Sequence, residues 1–431
     1  MLYTVFILLA LALATPLFIV IAGITMAIFH TQEIDLSVIP GEIYRITDTP
    51  ILLALPLFTL AGYILAESQA SQRLMRVTQA FLGWMPGGMA IIAFISSAIF
   101  TAFTGASGVT IVALGALLYP ALIAAGYREK FALGLVTTSG SLGLLIVPSL
   151  PLILYGIVAQ QMHVGETFTL QQLFLAGAIP ALLMLFLLSV WAVWTTRRQN
   201  VVITPFSWPN VKDALWEARW EVPLPFIVLG GIYGGYLVVS DAAVITLFYV
   251  IIAETLLYRE VPLKKLPKIT LQAMTMVGGL VMILAVSLAL TNALIDAEVP
   301  TQAFDWVRTH IDSKWTFLIA LNIFLLILGM LLEVLSAIVV IPLILPIAVA
   351  YGIHPLHLGT IFLANMQIGF ITPPAGMNLF IASYRFQRPI TELVVATVPF
   401  MLVLLVGLIL ITYIPALSLW LPNLILPSSS P

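Results

Sequence analysis

Four short runs interrupt the apolar stretches of this 431-residue chain, and its chemistry must be sought there. They are FTGASGVT (Phe103–Thr110), IVPSLP (Ile146–Pro151), LGMLLEV (Leu328–Val334) and GFITPPAGMN (Gly369–Asn378). Proline inside a helix removes a hydrogen bond and clashes with the preceding turn. The run Thr372, Pro373, Pro374, Ala375, Gly376 therefore cannot be regular helix. At membrane depth, unwound backbone is tolerated only when it is buried in protein or lines a wet cavity. Its freed carbonyls suit a hard cation such as Na⁺. The helix N-termini beside it suit an anion such as a carboxylate. One device thus supplies a cation site and an anion site. A lone proline kink is ordinarily structural, but here two breaks sit at matched places in two halves. Each follows a segment with a central break of its own.

Side chains with other chemistry are few. Ser107 sits in GASG, which also reads as the GxSG of a rhomboid-type intramembrane serine protease. That chemistry needs a base beside the serine, and His30, His163, His310, His354 and His357 all fall in or beside expected loops. Glu333 is the most membrane-central acid, and an intramembrane carboxylate is a functional candidate by default. It reads as a cation ligand or tip stabiliser, or as a shallow residue near the mouth of its segment. Asp241 is expected to cap a helix in a tight turn, and Glu254 to snorkel to the cytoplasmic interface. No Lys or Arg falls at mid-membrane, so a bound anion would depend on helix ends, hydroxyls, amides and co-bound Na⁺.

These runs must be held by membrane-embedded elements. Only 8% of residues are charged and 61% are apolar, where soluble domains carry about 25% charge. Lipid is the solvent, and long non-alternating runs predict an all-α polytopic membrane protein. The chain begins directly in an apolar run without a basic leader, so that run is expected to stay as an anchor. The absence of cysteine excludes disulfides and thiolate metal sites, and no basic stripe points to nucleic acid.

Helical segments are expected near 1–29, 51–66, 84–125, 131–160, 172–195, 223–239, 242–257, 271–294, 315–351, 356–384 and 393–421. Pro16 kinks or splits the first. Segments 84–125 and 315–351 are too long for one crossing and are broken centrally, which predicts two re-entrant helical hairpins. With both re-entrant, one side holds Arg73, Arg76, Arg128, Lys130, Arg197, Arg198, Lys212, Arg219, Arg259, Lys264, Lys265, Lys268, Arg385 and Arg388. The other holds Arg45, Arg308 and Lys314, which completes the 17 basic residues. The rich side is the cytoplasm by the positive-inside rule. The first hairpin then opens inward, the second outward, with the N-terminus inside and the C-terminus outside.

A shift of 226 places lays Leu117 on Leu343, Pro120 on Pro346, Ala124 on Ala350, Gly126 on Gly352, Gly143 on Gly369 and Pro148 on Pro374. Four of the six are Pro or Gly, the residues that punctuate helices. Two halves of opposite orientation with discontinuous helices are the signature of secondary transporters. The expected organisation is a first inverted repeat at 1–200 and a linker at 201–241. A second inverted repeat follows at 242–431. Within the linker, 201–222 reads as an amphipathic cytoplasmic helix carrying Trp208, Trp216 and Trp220.

Gly105–Gly156 and Ile327–Ser383 resemble the large membrane subunit of tripartite ATP-independent periplasmic (TRAP) transporters. LLALPLFTLAG (Leu52–Gly62) and GGIYGG (Gly230–Gly235) are also similar to that family, and TPPAGMNLF is the most specific stretch. The resemblance implies a bacterial inner-membrane permease of the ion transporter superfamily. It would work with a small four-helix membrane subunit and a periplasmic substrate-binding protein. Membrane lipids surround it, its substrate is a small organic acid, Na⁺ is the coupling ion, and no other cofactor is implied. Hairpins and broken helices would move together as an elevator. Carried over by position, the sodium and substrate sites are Thr104, Gly105, Ala106, Ser107 and Gly108 with Ile146, Val147, Pro148 and Ser149. In the second repeat they are Gly329 and Glu333 with Gly369, Thr372, Pro373, Pro374, Ala375, Gly376 and Asn378. Val147-Pro148 stands where paralogues often show paired prolines, and Val238–Asp241 replaces a commoner Thr-Pro-Thr-Glu turn. The alternatives are a stand-alone sodium–carboxylate symporter of the same superfamily, an intramembrane enzyme, and a scaffold without a transported ligand.

Overall fold

The computed structural model describes residues 15, 17–47, 50–85, 87–197, 205–311 and 313–426. The first half of the expected 1–29 segment lies largely outside them. Among the described residues every regular element is helical. Six helices among the described residues are long and apolar enough to cross a membrane, and a seventh crossing arises if Glu129–Leu145 and Leu150–Gln161, bent by 40°, count as one.

A first group packs around one long helix. It comprises α1 (Leu17–Thr31), α2 (Val38–Thr47), α3 (Ala54–Glu67), α12 (Val239–Ile251) and α13 (Leu266–Asp296), with α13 touching α1, α2 and α3, and α12 lying along α3. Between them in sequence, α4 (Ala70–Leu82) leads into α5 (Gly88–Thr104) and α6 (Ser107–Ala124). Next come α7 (Glu129–Ser139), α8 (Leu150–Gln161) and the uninterrupted α9 (Leu170–Thr196). Thr169 and Gln172 form a reciprocal capping box at the start of α9, which satisfies two orphan donors. The linker contains α10 (Trp208–Glu217) and α11 (Pro223–Tyr233).

The second half repeats the order with α14 (Val299–His310), α15 (Lys314–Leu331), α16 (Val334–Ala337), α17 (Ile341–Ala350), α18 (Pro355–Gly369) and α19 (Met377–Phe386). It closes with α20 (Ile390–Tyr413) and α21 (Ala416–Ile425). Element boundaries recur at the shift found in the sequence. Gly88 and Lys314 begin helices, Ala124 and Ala350 end them, and Glu129 and Pro355 begin the next.

Both long segments double back. The α5–α6 pair turns within Gly105 and Ala106, and its two arms pack together. In the second pair the ends are tied at the mouth. Lys314 Nζ donates to Gly352 O at 2.7 Å, Tyr351 Oη donates to Ile311 O at 2.7 Å, and the Phe317 and Tyr351 rings stack at 4.5 Å.

Several expectations need correction. Segment 223–239 is helical only through Tyr233, and 11 residues span about 16 Å, less than the roughly 30 Å hydrocarbon core. Gly231 O then accepts from Tyr236 N and Leu237 N, which closes a turn. Segment 393–421 is broken at Ile414-Pro415, because proline cannot continue the ladder. The stretches 67–83 and 296–314, expected as loops, hold α4 and α14. Their mixed polarity hid them from a search for apolar runs. Asp241 lies in the first turn of α12 rather than at its cap, which Val238 occupies.

Candidate ion and substrate site

The first break begins where Gly105 adopts φ +67° and donates to Thr101 O at 2.8 Å. That left-handed conformation favours glycine, and it turns the chain so that Ala106 is extended and Ser107 opens α6. The tip is deeply buried: Thr104 is 0% and Ser107 3% exposed. The Thr101 hydroxyl pairs with that of Thr110 at 2.8 Å and donates to Gly140 O at 3.0 Å. Gly140 lies just past the end of α7. From there the chain runs through a short 3₁₀ turn (Leu142–Leu145) and an irregular stretch, with Ile146 and Ser149 extended, before α8. Ser149 Oγ donates back to Leu144 O at 2.5 Å.

The second half is built likewise. After α15 ends, Leu332 and Glu333 are extended and α16 starts. α18 runs to Gly369, and turns through Ala375 lead to α19. Gly376 N donates to Thr372 O and Asn378 N to Phe370 O, both at 3.0 Å, so the unwound segment is tied to itself. The Val147–Pro148 and Pro373–Pro374 peptide bonds are both cis. Close backbone approach holds each hairpin to its broken helix. A Cβ on Gly143 would fall 2.4 Å from Ala98 O, and one on Gly369 2.5 Å from Gly329 C. Small residues let helices approach this closely in a lipid environment.

The halves meet at these breaks. Ser141 Oγ donates to Gln367 O at 3.1 Å, and Asn378 Nδ2 to Thr137 O at 3.3 Å. Gly108 faces Ile381, and Arg385 Nε donates to Val112 O at 3.1 Å. The start of α6, the end of α7 and the start of α19 are thereby one cluster. Buried there without a hydrogen-bond partner are Ser107 Oγ, Thr138 Oγ1 and Asn378 Oδ1; Thr104 Oγ1 at the tip is likewise unpartnered. Burying such atoms unpaired is costly. Neutral oxygens gathered at helix breaks, with helix N-termini alongside, can ligate a hard cation and orient an anion.

The positions named from sequence divide. Thr104, Gly105, Ala106, Ser107, Gly108, Gly329, Gly369, Gly376 and Asn378 line close contacts at the tips and breaks. The hydroxyls of Ser149 and Thr372 are turned onto their own preceding turns, Thr372 Oγ1 donating to Ile368 O at 2.9 Å. Ile146, Val147, Pro148, Pro373, Pro374 and Ala375 supply irregular backbone. Glu333 is exposed and makes no side-chain cap, so it does not stabilise the tip by capping. Sequence reasoning missed Thr101, Thr137, Thr138, Gly140 and Ser141, and named Thr110 only as the end of the first break. It looked for the break at proline, whereas α7 ends several residues earlier; the TTSGS run at 137–141 was the available signal.

Further along α18, a buried polar network joins α15, α18, α20 and α21. Asn365 Nδ2 donates to Asn322 Oδ1 at 2.7 Å, and Asn322 Nδ2 to Thr412 Oγ1 at 3.2 Å. His357 is not a loop histidine but a buried one. Its Nδ1 meets Ser418 Oγ and its Nε2 meets Thr412 O, each at 3.2 Å, and both ring nitrogens are thus engaged away from Ser107. Glu254 does not snorkel. It is 0% exposed and ion-paired with Arg73 at 3.3 Å.

Residues 2–417 match the family described as "Tripartite ATP-independent periplasmic transporter, DctM component". The chain is 34% identical over 406 residues to the C4-dicarboxylate TRAP transporter large permease protein DctM of Pseudomonas aeruginosa, covering 93% of this chain and 92% of that one. It is 32% identical to the isethionate TRAP transporter permease protein DctMQ of Oleidesulfovibrio alaskensis, covering 86% of this chain and 58% of that one. It is 31% identical to the ectoine/5-hydroxyectoine large permease protein UehC of Ruegeria pomeroyi, with 86% of each covered. Among solved structures, the YdaH transporter of Alcanivorax borkumensis is similar in fold, with a TM-score of 0.62 at 14% identity over 87% of this chain and 86% of that one.

Proposed function

This chain belongs to the DctM-component family of TRAP transporters, multi-pass membrane permeases rather than enzymes, and from that footing we propose that it carries a small organic acid inward coupled to Na⁺. The observation that carries this reading is the cluster of unpartnered buried oxygens where the breaks meet: Ser107 Oγ, Thr138 Oγ1 and Asn378 Oδ1. Na⁺ would sit among these oxygens and the carbonyls of the breaks, neutralising part of the substrate's charge. The N-termini of α6, α8 and α19 would face the carboxylate. No basic side chain is then needed at mid-membrane.

The α5–α6 and α15–α17 pairs are read as re-entrant hairpins of an inverted repeat in the inner membrane. The recurrence of helix boundaries and the paired Gly143 and Gly369 contacts support that symmetry. Hairpins and broken helices move as one elevator body against the group built on α3, α12 and α13. A small four-helix membrane subunit and a periplasmic binding protein complete the system. That partnership is supported by a relative named as a DctMQ permease, of which this chain covers only 58%. Relatives named for C4-dicarboxylate, isethionate and ectoine support a small carboxylate or sulfonate, zwitterions included, as the substrate class.

The test is thermal unfolding of the purified chain in NaCl against KCl and choline chloride at equal ionic strength. A ligand that binds only the folded state raises its melting temperature. A Na⁺-specific rise, lost in Ser107→Ala and Asn378→Ala, is expected. No Na⁺-specific rise, either alone or co-expressed with the small subunit, would overturn the sodium reading. Uptake by this chain alone in liposomes would replace the tripartite reading with a stand-alone symporter.

A further inference from the structure

Arg73 sits in the first turn of α4, the arm joining the α3 group to the first hairpin, and is only 8% exposed. Its Nε donates to Glu221 Oε1 at 2.5 Å, its Nη1 reaches Glu260, and its Nη2 meets Glu254 Oε2 at 3.3 Å. The guanidinium lies 3.9 Å over the Tyr258 ring, and Tyr258 Oη donates to Glu221 Oε2 at 2.9 Å. Gln69 N donates to Glu260 Oε2 at 2.8 Å. The carboxylates come from three places: the turn before α11, a π-helical turn that extends α12 (Ile252–Leu257), and the loop after it. A planar fork of five donors suits such a hub, and a lysine ammonium does not.

The arm entering the second hairpin, α14, occupies the matching place in the other half. None of its residues is buried, and it makes no ion pair among the described residues. The two arms are therefore unequal. Separating Arg73 from its partners would strand buried carboxylates, a strongly destabilising change. With that end of α4 held to the α3 group, the hairpin can move only if α5, which packs along α4, shifts along that helix. The chain after α4 offers Gly83, Gly87 at φ +75° and Gly88.

We propose that Arg73 is a positioning residue for transport: with Glu221, Glu254 and Glu260 it fixes the scaffold end of α4, and the first hairpin moves by backbone rotation at the glycines Gly83, Gly87 and Gly88. The proposal rests on the elevator reading above. Because the chain contains no cysteine, spin labels can be placed at will. Two pairs in the full chain in lipid nanodiscs test it, Gln72→Cys with Arg259→Cys across the hub and Gln72→Cys with Lys130→Cys across the hinge. Distance distributions are compared in NaCl and choline chloride. The hub pair is expected to give one narrow distribution in both, and the hinge pair to shift or split. In Arg73→Lys the hub pair should broaden while the Na⁺-specific melting rise persists. Uptake measured with the small subunit and binding protein should fall about tenfold at saturation, ~1.4 kcal/mol of barrier.

A hub pair that splits with salt, a hinge pair that never changes, or an Arg73→Lys chain with unaltered distributions would each overturn the proposal. If the melting rise is absent from the unsubstituted chain too, the transport reading fails with it. If the rise is present while the hub moves, only the fixed pivot fails.

Discussion

The two hairpins occupy matched places and are packed quite differently. At the first tip, Thr104 and Ser107 are buried, and Gly62 of α3 lies so close that a Cβ there would fall 2.3 Å from Phe103 O. At the second tip Glu333 is exposed and Leu331 is 63% exposed. The first is braced by α3 and approached by an arm pinned at Arg73. The second is tied at its mouth by Lys314, Phe317 and Tyr351, and its arm has no buried residue. Sequence symmetry thus sets where the breaks fall without setting how firmly each is held. On the transport reading, the loosely held tip is the one that opens to ligand.

The largest test of this contrast is Gly62→Leu. Its side chain would drive into the Phe103 backbone, and overpacking of this kind costs about 1–3 kcal/mol or more. Loss of Na⁺-dependent uptake with a lower melting temperature is expected. A normal uptake rate would mean that the first tip is not braced by α3. Gly376→Leu should also abolish uptake, since a Cβ there would meet Phe370 O at 2.5 Å. Here the readout is uptake in chains that still reach the membrane.

A smaller effect should separate the polar groups. Asn378→Ala removes a buried oxygen from the shared cluster and should abolish the Na⁺-specific melting rise. Glu333→Gln, at the exposed tip and outside that cluster, should leave the Na⁺-specific melting rise in place. Equal effects from both would erase the distinction between the tips. Smallest of all, Leu331→Ala should leave the melting temperature nearly unchanged, within about 0.5 kcal/mol. A large loss would show that Leu331 is packed rather than exposed.

Much of this was legible in the residues. Apolar runs of 15 to 40 residues with few charges dictate membrane helices. Pro148, Pro373, Pro374 and the glycines around them dictate where those helices cannot continue. The repeat shift was readable because proline and glycine act locally, each constraining its own turn. The TPPAGMNLF and GASG runs pointed to the family for the same reason.

What the tertiary structure decided depends on neighbours distant in sequence. Amphipathic arms such as α4 and α14 gave no apolar run, and only packing identifies them as helices leading into hairpins. Glu254 looked like an interfacial acid until folding brought Arg73, 181 positions away, onto it. Thr137 and Asn378 became neighbours only because α7 and α19 meet at the breaks. A residue's own turn is set by its local sequence, whereas its burial and its charge partners are set by whichever helix the fold lays beside it.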